Sequence, residues 1–206
     1  MNNLAILGAS GHGAVIAEAA LLSKKWDSVV FFDDAYPSLQ NLESWPVVGN
    51  TQDLIDQSNA FLGVVIAIGN NEVRVSKQSK LLQQGCNIVS IIHPAAVISP
   101  SSKISRGTVV LAGAIINPFC NVGESCIVNT GSTIDHDCHL SDGVHISPGA
   151  NLAGGVIVGR ASWLGIGSCV MQQVSIGENV IVGAGAAVVK NTSNNCTLVG
   201  VPAKRI

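Results

Sequence analysis

Residues 104–128 read ISRGTVVLAGAIINPFCNVGESCIV, and an aliphatic residue occupies every sixth position of this stretch. The same step extends in both directions from Ile92 to Val188, and all seventeen positions hold Ile, Leu or Val. The steps beyond these limits fall on Cys86 and Asn194, so the repeat has defined ends. A second column, two residues before the first, contains only small residues and valine. Such a sustained internal repeat predicts a repetitive architecture rather than an irregular globular fold.

A six-residue period fits neither the turn of an α-helix nor simple alternation along a strand. It fits a coil whose short strands each point one large and one small side chain inward, while glycine and polar residues turn the corners. Three hexads make one triangular coil, so seventeen hexads predict between five and six coils of a parallel β-helix. Three of the cysteines fall in the small column, and we expect them to be core residues: Cys120, Cys126 and Cys138.

Composition and charge exclude several classes of protein. The net charge is −2 with 12% charged residues, and no basic run indicates nucleic-acid binding. No apolar segment reaches the roughly 18 residues that a membrane span needs. The opening residues lack the basic region of a signal peptide. Both observations predict a cytoplasmic protein. The six cysteines form no CxxC or paired zinc spacing, which predicts no metal site, and in a cytoplasmic protein we expect them to be free thiols.

Residues 1–90 have a different pattern, in which apolar strands alternate with helical segments. We predict strands over 4–7, 29–32, 64–68 and 88–92, and helices over 14–23 and 72–84. This alternation predicts a parallel, Rossmann-like α/β sheet, followed by the β-helix over 91–206. In such sheets ligands bind at the carboxyl ends of the strands. Glycines, then Asp33 and Asp34, then Gly69 and Asn70 follow successive predicted strands, which makes this edge a candidate binding site.

The glycines of residues 8–13 follow the spacing G-x-x-G-x-G, and not the G-x-G-x-x-G of dinucleotide-binding folds. Asp33 lies 20 residues after Gly13, where such folds place a ribose-binding acid. Three interpretations stay open: an NAD site, a tight turn without a ligand, and a nucleotide-sugar site whose phosphates meet the helix N-terminus.

His136 is the histidine that the repeat places best for chemistry. It follows the inward Ile134 by two residues, at a corner, between Asp135 and Asp137. An adjacent carboxylate can fix the tautomer of a general base, although a solvated corner histidine would have the same neighbours. His145 lies nine residues later, half a coil away. The two can share one site only if His145 comes from a neighbouring subunit.

The whole chain resembles the hexapeptide-repeat acyltransferases. Within them it is similar to the bacterial N-acetyltransferases of nucleotide-linked 4-amino-4,6-dideoxy sugars and to their sialic-acid O-acetyltransferase-like relatives. The motifs that carry the resemblance are Gly8-Ala-Ser-Gly-His-Gly13, Phe32-Asp-Asp34, Ile66-Ala-Ile-Gly-Asn-Asn-Glu-Val-Arg74, Asn129-Thr-Gly131, Asp135-His-Asp-Cys138, His145-Ile-Ser147 and Gly200-Val-Pro-Ala-Lys-Arg205. The resemblance implies a left-handed β-helix, a homotrimer that binds acetyl-CoA between prisms, and a part in cell-surface polysaccharide (for example O-antigen) synthesis.

The resemblance also implies roles for single residues. His136 would be the base, Asp137 its orienting acid and His145 a contact of acetyl-CoA. The front domain would hold the nucleotide sugar through Ser10, Gly11, His12, Asp33, Asp34, Gly69 and Asn70. We expect CoA to lie near Gly154, Gly155, Ile166, Gly183 and Gly185, with Lys190 or Lys204 as candidates for its phosphates.

The expected chemistry is attack of an acceptor amine on the thioester of acetyl-CoA. His136 would take the proton, and the backbone N–H of Gly154, one coil above it, would stabilise the oxyanion. The first rival is an O-acetyltransferase acting on sialic acid or a related sugar hydroxyl. A non-catalytic β-helix scaffold or sugar-nucleotide sensor is a second, and the acids beside His136 speak against it. A dehydrogenase is opposed by both the glycine spacing and the repeat.

Overall fold

The computed structural model describes residues 2–206, and the chain divides into two compact units, Met1–Pro94 and Ala95–Ile206. This division falls four residues after the boundary expected from the sequence, because the predicted repeat began at Ile92. Ile92 itself is 37% exposed. Within residues 2–206, no helix is both long and apolar enough to cross a membrane.

The first unit contains a three-stranded parallel sheet with helices in the connections. Its strands are β1 (Asn3–Leu7), β2 (Ser28–Phe32), β3 (Asn41–Leu42), β4 (Trp45–Pro46), β5 (Gly63–Ile66) and β6 (Ile91–Ile92). Its helices are α1 (Gly11–Leu22), α2 (Thr51–Asp56) and α3 (Asn71–Gln83), with a 3₁₀ turn at Ser58–Ala60. The sheet order is β2-β1-β5, all parallel, which confirms the predicted α/β class. The β3–β4 hairpin is antiparallel and separate.

Several boundaries in this unit differ from the sequence prediction. Helix α1 begins at Gly11, three residues earlier than expected. Its first turn includes Gly13, where a Cβ would clash with the Gly8 carbonyl and the Phe31 ring, so glycine is required inside the helix. The predicted strand over 88–92 is reduced to β6 and a single bridge between Val64 and Ile88. Helix α2 and the hairpin were not predicted, because elements of two to six residues carry little periodicity.

The second unit is a parallel β-helix with three faces, and the fold class expected from the repeat is confirmed. Face one consists of Val97–Ile98, Ile115–Ile116, Thr133–Ile134, Asn151–Leu152, Cys169–Val170 and Ala187–Val188. Face two consists of Lys103–Ile104, Asn121–Val122, His139–Leu140, Ile157–Val158 and Ser175–Ile176. Face three consists of Val109–Val110, Ile127–Val128, His145–Ile146, Trp163–Leu164, Ile181–Val182 and Thr197–Val199, closed by the antiparallel Lys204–Arg205. Left-handed winding stays a prediction from the resemblance.

The aliphatic column forms the core of the β-helix. Its members from Val110 to Val188 are at most 3% exposed, and they pack against the small column. Ile98 and Ile104 are only partly buried, because they lie in the lowest coil of this unit. Each corner between residues 107 and 185 has one residue with a positive φ, and eight of these fourteen are glycine. Asp137, with φ 60°, is one of the six that are not.

Side chains of the small column also fasten each coil to the next. Six of them donate a hydrogen bond to the carbonyl fifteen residues later in the chain: Ser102, Thr108, Cys120, Cys126, Cys138 and Ser162. These bonds satisfy buried donors without interrupting the strands. The prediction that Cys120, Cys126 and Cys138 are core residues is confirmed, since each is at most 1% exposed.

Candidate active site

His136 lies at an exposed corner between faces one and two, where its ring contacts the next residue. Its Nδ1 is 2.7 Å from Oδ2 of Asp137. An ionised carboxylate only accepts hydrogen bonds, so Nδ1 carries the proton of the neutral imidazole and Nε2 keeps its lone pair. The hydrogen bond that His136 donates to Asp137 raises the pKa of His136 above its ordinary 6.5, and the charge of Asp135 adds to this effect. This arrangement is that of a general base.

Asp135 hydrogen-bonds the backbone of the same corner, and sequence reasoning gave it no role of its own beyond being an acid next to His136. Its Oδ1 accepts the N–H of His136 at 2.9 Å and the Nδ2 of Asn117 at 2.8 Å. These bonds hold the pKa of Asp135 below its ordinary value, with the bond from Asn117 as the largest cause. Asn117 lies 18 residues before Asp135, one coil below, and that spacing is the signal that could have identified it.

Gly154 lies directly against the imidazole of His136. A Cβ placed on Gly154 would be 2.6 Å from Cε1 and 2.7 Å from Nε2 of His136. The equivalent positions of the coils below and above hold Pro118, His136 and Gln172, so this corner position does not itself demand glycine. Glycine is therefore required here because the imidazole occupies the space of a side chain.

The backbone N–H of Gly154 points out of the core, toward the side on which His136 lies. The carbonyl of the same peptide unit, that of Ala153, accepts the thiol of the buried Cys138 at 3.3 Å. Cis bonds among residues 2–206 occur only before Pro37 and Pro202, so this peptide is trans and its N–H points the opposite way. Within the described chain that N–H has no hydrogen-bond partner. It is a free donor beside a base, as an oxyanion site requires.

His145 lies on face three, opposite the corner that carries His136. It is only 9% exposed, because Trp163 of the next coil stacks on it with ring centroids 5.6 Å apart. Its Nε2 lies 3.2 Å from Nδ2 of Asn129. The indole of Trp163 donates to Ser147 Oγ at 2.7 Å. Sequence reasoning missed Trp163 and quoted Asn129 only within the Asn129-Thr-Gly131 motif, although both lie one coil from the His145-Ile-Ser147 motif.

In the first unit, the carboxylate of Asp33 bonds to the main chain. Its Oδ2 accepts the N–H of Ala9 at 2.8 Å and its Oδ1 the N–H of Ala35 at 2.9 Å. Ser10 is the N-cap of α1 but its side chain makes no capping bond, and Gly11 is exposed. Asp33 thus fixes the glycine turn that precedes the helix N-terminus.

Asp34 belongs to a network that the sequence did not reveal. Its Oδ1 accepts both the N–H and the hydroxyl of Thr51, and its Oδ2 accepts Lys77 Nζ at 2.6 Å. Burial opposes ionisation of Asp34, but the bonds from Lys77 and Thr51 outweigh it and lower its pKa to about 2. Asp34 is therefore ionised and presents an ion pair, rather than a lone carboxylate, at this edge.

Gly69 and Asn70 form the loop after β5, and Arg74 holds this loop from within. The buried Arg74 donates to the carbonyls of Ile68 and Gly69, at 2.9 and 3.1 Å. Asn70 caps α3 by accepting the N–H of Val73. Burial and, second, Arg74 lower the pKa of His12 to about 4, so His12 is neutral near pH 7.

Two comparisons with known proteins bear on the identity of this chain. The family model described as the PglD N-terminal domain matches residues 3–81. The acetyltransferase domain of PglB from Neisseria gonorrhoeae, solved in complex with acetyl coenzyme A, is 38% identical with a TM-score of 0.95. That match covers 100% of this chain and 99% of that chain. The chain belongs to the hexapeptide-repeat acyltransferase family.

Two further relatives extend this result. A variant of the perosamine N-acetyltransferase of Caulobacter crescentus, in complex with CoA and GDP-perosamine, is 35% identical. It has a TM-score of 0.95 and covers 99% of this chain and 96% of that one. The UDP-N-acetylbacillosamine N-acetyltransferase of Bacillus subtilis is 37% identical over 116 residues, 54% of this chain. The matched segment spans about half of that curated relative, 52% of its length.

In this hexapeptide-repeat acyltransferase, the residues expected to meet CoA occupy two separate corners of the β-helix. Gly154 and Gly155 lie at the corner of His136, whereas Ile166, Gly183 and Gly185 lie at the corner after face three. Ile166 is 59% exposed. Lys190 and Lys204 line one cavity of about 360 Å³ near the C-terminus. No cluster of three His, Cys, Asp or Glu side chains that could hold a metal occurs in residues 2–206.

Proposed function

We propose that this protein transfers an acetyl group from acetyl-CoA to the 4-amino group of a nucleotide-linked 4-amino-4,6-dideoxy sugar. One observation carries the proposal: Nε2 of His136, the ring nitrogen that does not face Asp137, lies close to Gly154, whose N–H is free, on one exposed corner. Acyl transfer needs a base for the attacking nucleophile and a donor for the oxyanion, and this corner offers both. The relatives described above, which bind acetyl-CoA or a nucleotide amino sugar, support the same reaction class.

Three residues of this corner, His136, Asp137 and Gly154, would each have a separate role in the reaction. His136 Nε2 accepts the proton that the attacking amine loses as its nitrogen bonds to the thioester carbonyl carbon. Asp137 keeps the imidazole in the required tautomer and stabilises the imidazolium that forms. The Gly154 N–H donates to the developing oxyanion, and the CoA thiolate leaves as the C–S bond breaks and takes up the proton held by the His136 imidazolium. Because the thioester is already activated, no covalent enzyme intermediate is required.

We propose that the first unit binds the nucleotide part of the acceptor. The glycine turn and the N-terminus of α1, with Ser10 and Gly11, offer backbone donors for phosphate oxygens. The neutral His12, the Asp34–Lys77 pair and the Gly69–Asn70 loop supply further polar groups. Asp33 would act through the main chain that it fixes, because each of its oxygens accepts a backbone N–H.

We further propose that the active protein is a homotrimer with its acetyl-CoA site shared between copies. His145 lies on the face opposite the corner of His136, and Ile166 lies at a different corner, so we expect one CoA to contact both groups only if two chains contribute. Apolar Trp163 and Ile181 are about half exposed on face three, at 46% and 47%, and would be covered by a neighbour. Light scattering should give three times the chain mass of 21.2 kDa. A fully active monomer would contradict the shared site.

The reaction is tested by incubating the protein with acetyl-CoA and a panel of UDP-, dTDP- and GDP-linked amino sugars while thiol release is followed. We expect release with at least one 4-amino-4,6-dideoxy sugar and none with its 4-hydroxy counterpart, which serves as the matched control. Release with sialic acid and with no amine would instead identify an O-acetyltransferase. The sugar, its nucleotide and a cytoplasmic location stay predictions.

A further inference from the structure

Two buried thiols lie directly beneath the corner that carries His136 and Gly154. Cys120 and Cys138 occupy successive positions of the small column, one coil apart, and neither side chain reaches solvent. Cys120 Sγ donates to the carbonyl of Asp135 at 2.9 Å, and Cys138 Sγ to the carbonyl of Ala153 at 3.3 Å. The acetyl-transfer chemistry uses neither thiol as a nucleophile, so their placement calls for another explanation.

Each thiol donates a hydrogen bond to the peptide unit that precedes one residue of the proposed catalytic pair, His136 and Gly154. The carbonyl of Asp135 belongs to the peptide whose N–H is that of His136, and the carbonyl of Ala153 to the peptide whose N–H is that of Gly154. A donor on the carbonyl of an amide polarises the amide and makes its N–H a better donor. In a trans peptide it also fixes the direction in which that N–H points.

We propose that Cys138 is a positioning residue for acetyl transfer, which orients and polarises the Ala153–Gly154 peptide so that its N–H is directed at the oxyanion. This inference rests on the proposed function, in which Gly154 is the oxyanion donor. Cys120 acts in the same way on the Asp135–His136 peptide, whose N–H is already bound to Asp135 Oδ1. The effect of Cys138 is the more direct, because the Gly154 N–H is left for the substrate.

The thiol of Cys138 carries the proton that this role requires. The sulfur of Cys120 beside it raises the pKa of Cys138, with burial as the second cause. A carbonyl oxygen is a stronger acceptor than a thiol sulfur, so the proton of Cys138 is directed at Ala153 rather than at Cys120. No oxidation or covalent step is involved.

The repeat supplies a matched control for this role. Cys126 lies in the same small column, is equally buried and donates to the carbonyl of Ser141 at 3.2 Å. That carbonyl lies at the corner between faces two and three, away from both groups of expected CoA contacts. Cys126 therefore shares the structural role of Cys138 but not its connection to Gly154. Serine is an equally native occupant, since Ser102 and Ser162 make the same bond.

The experiment compares Cys138→Val and Cys138→Ser with Cys126→Val in the full-length protein. Valine also occurs in this column, at Val156 one coil above Cys138, so these variants should fold. Cys138→Val should lower kcat about three- to tenfold, as expected for the loss of one supporting hydrogen bond, with KM for acetyl-CoA changed less than about twofold. Cys138→Ser should restore kcat, and Cys126→Val should change the melting temperature as much as Cys138→Val but leave kcat unchanged.

Equal kcat values for Cys138→Val and Cys126→Val would overturn the inference, as would a failure of serine to restore kcat. If Cys138→Val does not fold, Cys138→Ala against Cys126→Ala makes the same comparison with less volume. The proposed function fails separately: it is refuted by a wild-type protein that transfers no acetyl group. A wild type that is active and depends on His136, with an unaffected Cys138→Val, would refute this inference alone.

Discussion

Replacing His136 with alanine should lower kcat by about a hundredfold to ten-thousandfold, the usual contribution of a general base. The side chain is 59% exposed and hydrogen-bonds Asp137, so its removal opens no cavity in the core. We therefore expect the melting temperature and the oligomeric mass to stay near those of the wild type. The measurement is initial rate of thiol release with saturating acetyl-CoA and acceptor. Near-normal turnover would show that another group is the base.

Asp137→Asn is the control for the electrostatic part of this argument. The hydrogen bond that His136 donates to Asp137 raises the pKa of His136, so the wild-type base stays protonated, and inactive, to a higher pH than an isolated histidine. Activity should therefore rise with pH through an apparent pKa above 6.5. In Asp137→Asn that pKa should fall, which moves the acid limb of the kcat/KM profile to lower pH. A profile that does not move would mean that Asp137 is not the partner of the base.

Gly154→Ala should lower kcat by about a hundredfold, because a displacement of about 1 Å at a reacting group has effects of that size. The new Cβ would lie 2.6 Å from the His136 ring, and the exposed imidazole would swing away and lose its bond to Asp137. Since the ring can move into solvent, stability should change by less than about 1 kcal/mol. Steady-state rates and thermal unfolding test the two parts of this prediction.

The double variant His136→Ala/Gly154→Ala separates a displaced imidazole from other effects of the new methyl group. If the alanine acts through the ring, adding it to a protein that lacks the ring should leave the residual rate unchanged. A further drop in the double variant would indicate that the methyl group blocks the substrate or the Gly154 N–H directly. Full activity of the single variant would contradict the close packing of residue 154 against the base.

The sequence predicted the β-helix well because its period is a direct record of burial. Every sixth residue faces the core, so the aliphatic and small columns could be counted without knowing any contact. The same phase correctly assigned Cys120 and Cys138 to the interior. The first unit was predicted less well. Its short helix α2 and its hairpin leave no periodic signal, and the Asn50 and Asp53 capping box was the one local mark of α2.

The 18-residue length of a coil also predicted part of the candidate site. Gly154 follows His136 by 18 residues, so the prediction that one lies above the other could be made before any coordinates. The partners of the front unit could not be found in this way. Lys77 and Thr51 meet Asp34 from 43 and 17 residues away, in elements whose packing no repeat dictates. In the structure Asp34 forms an ion pair with Lys77, and Asp33 accepts hydrogen bonds from the main chain.

The pattern of residues alone was enough to predict which residues of the β-helix point inward and which histidine stands between two acids at a corner. It could do so because a regular repeat converts residue number into position. Which proton donors and acceptors each corner presents to a substrate became clear only from the three-dimensional packing. The tautomer of His136 depends on its contact with Asp137, whereas the requirement for glycine at 154 and the outward N–H above Cys138 depend on contacts between successive coils. Whether such a contact forms depends on differences in distance of a few tenths of an ångström, which no pattern of residue types records.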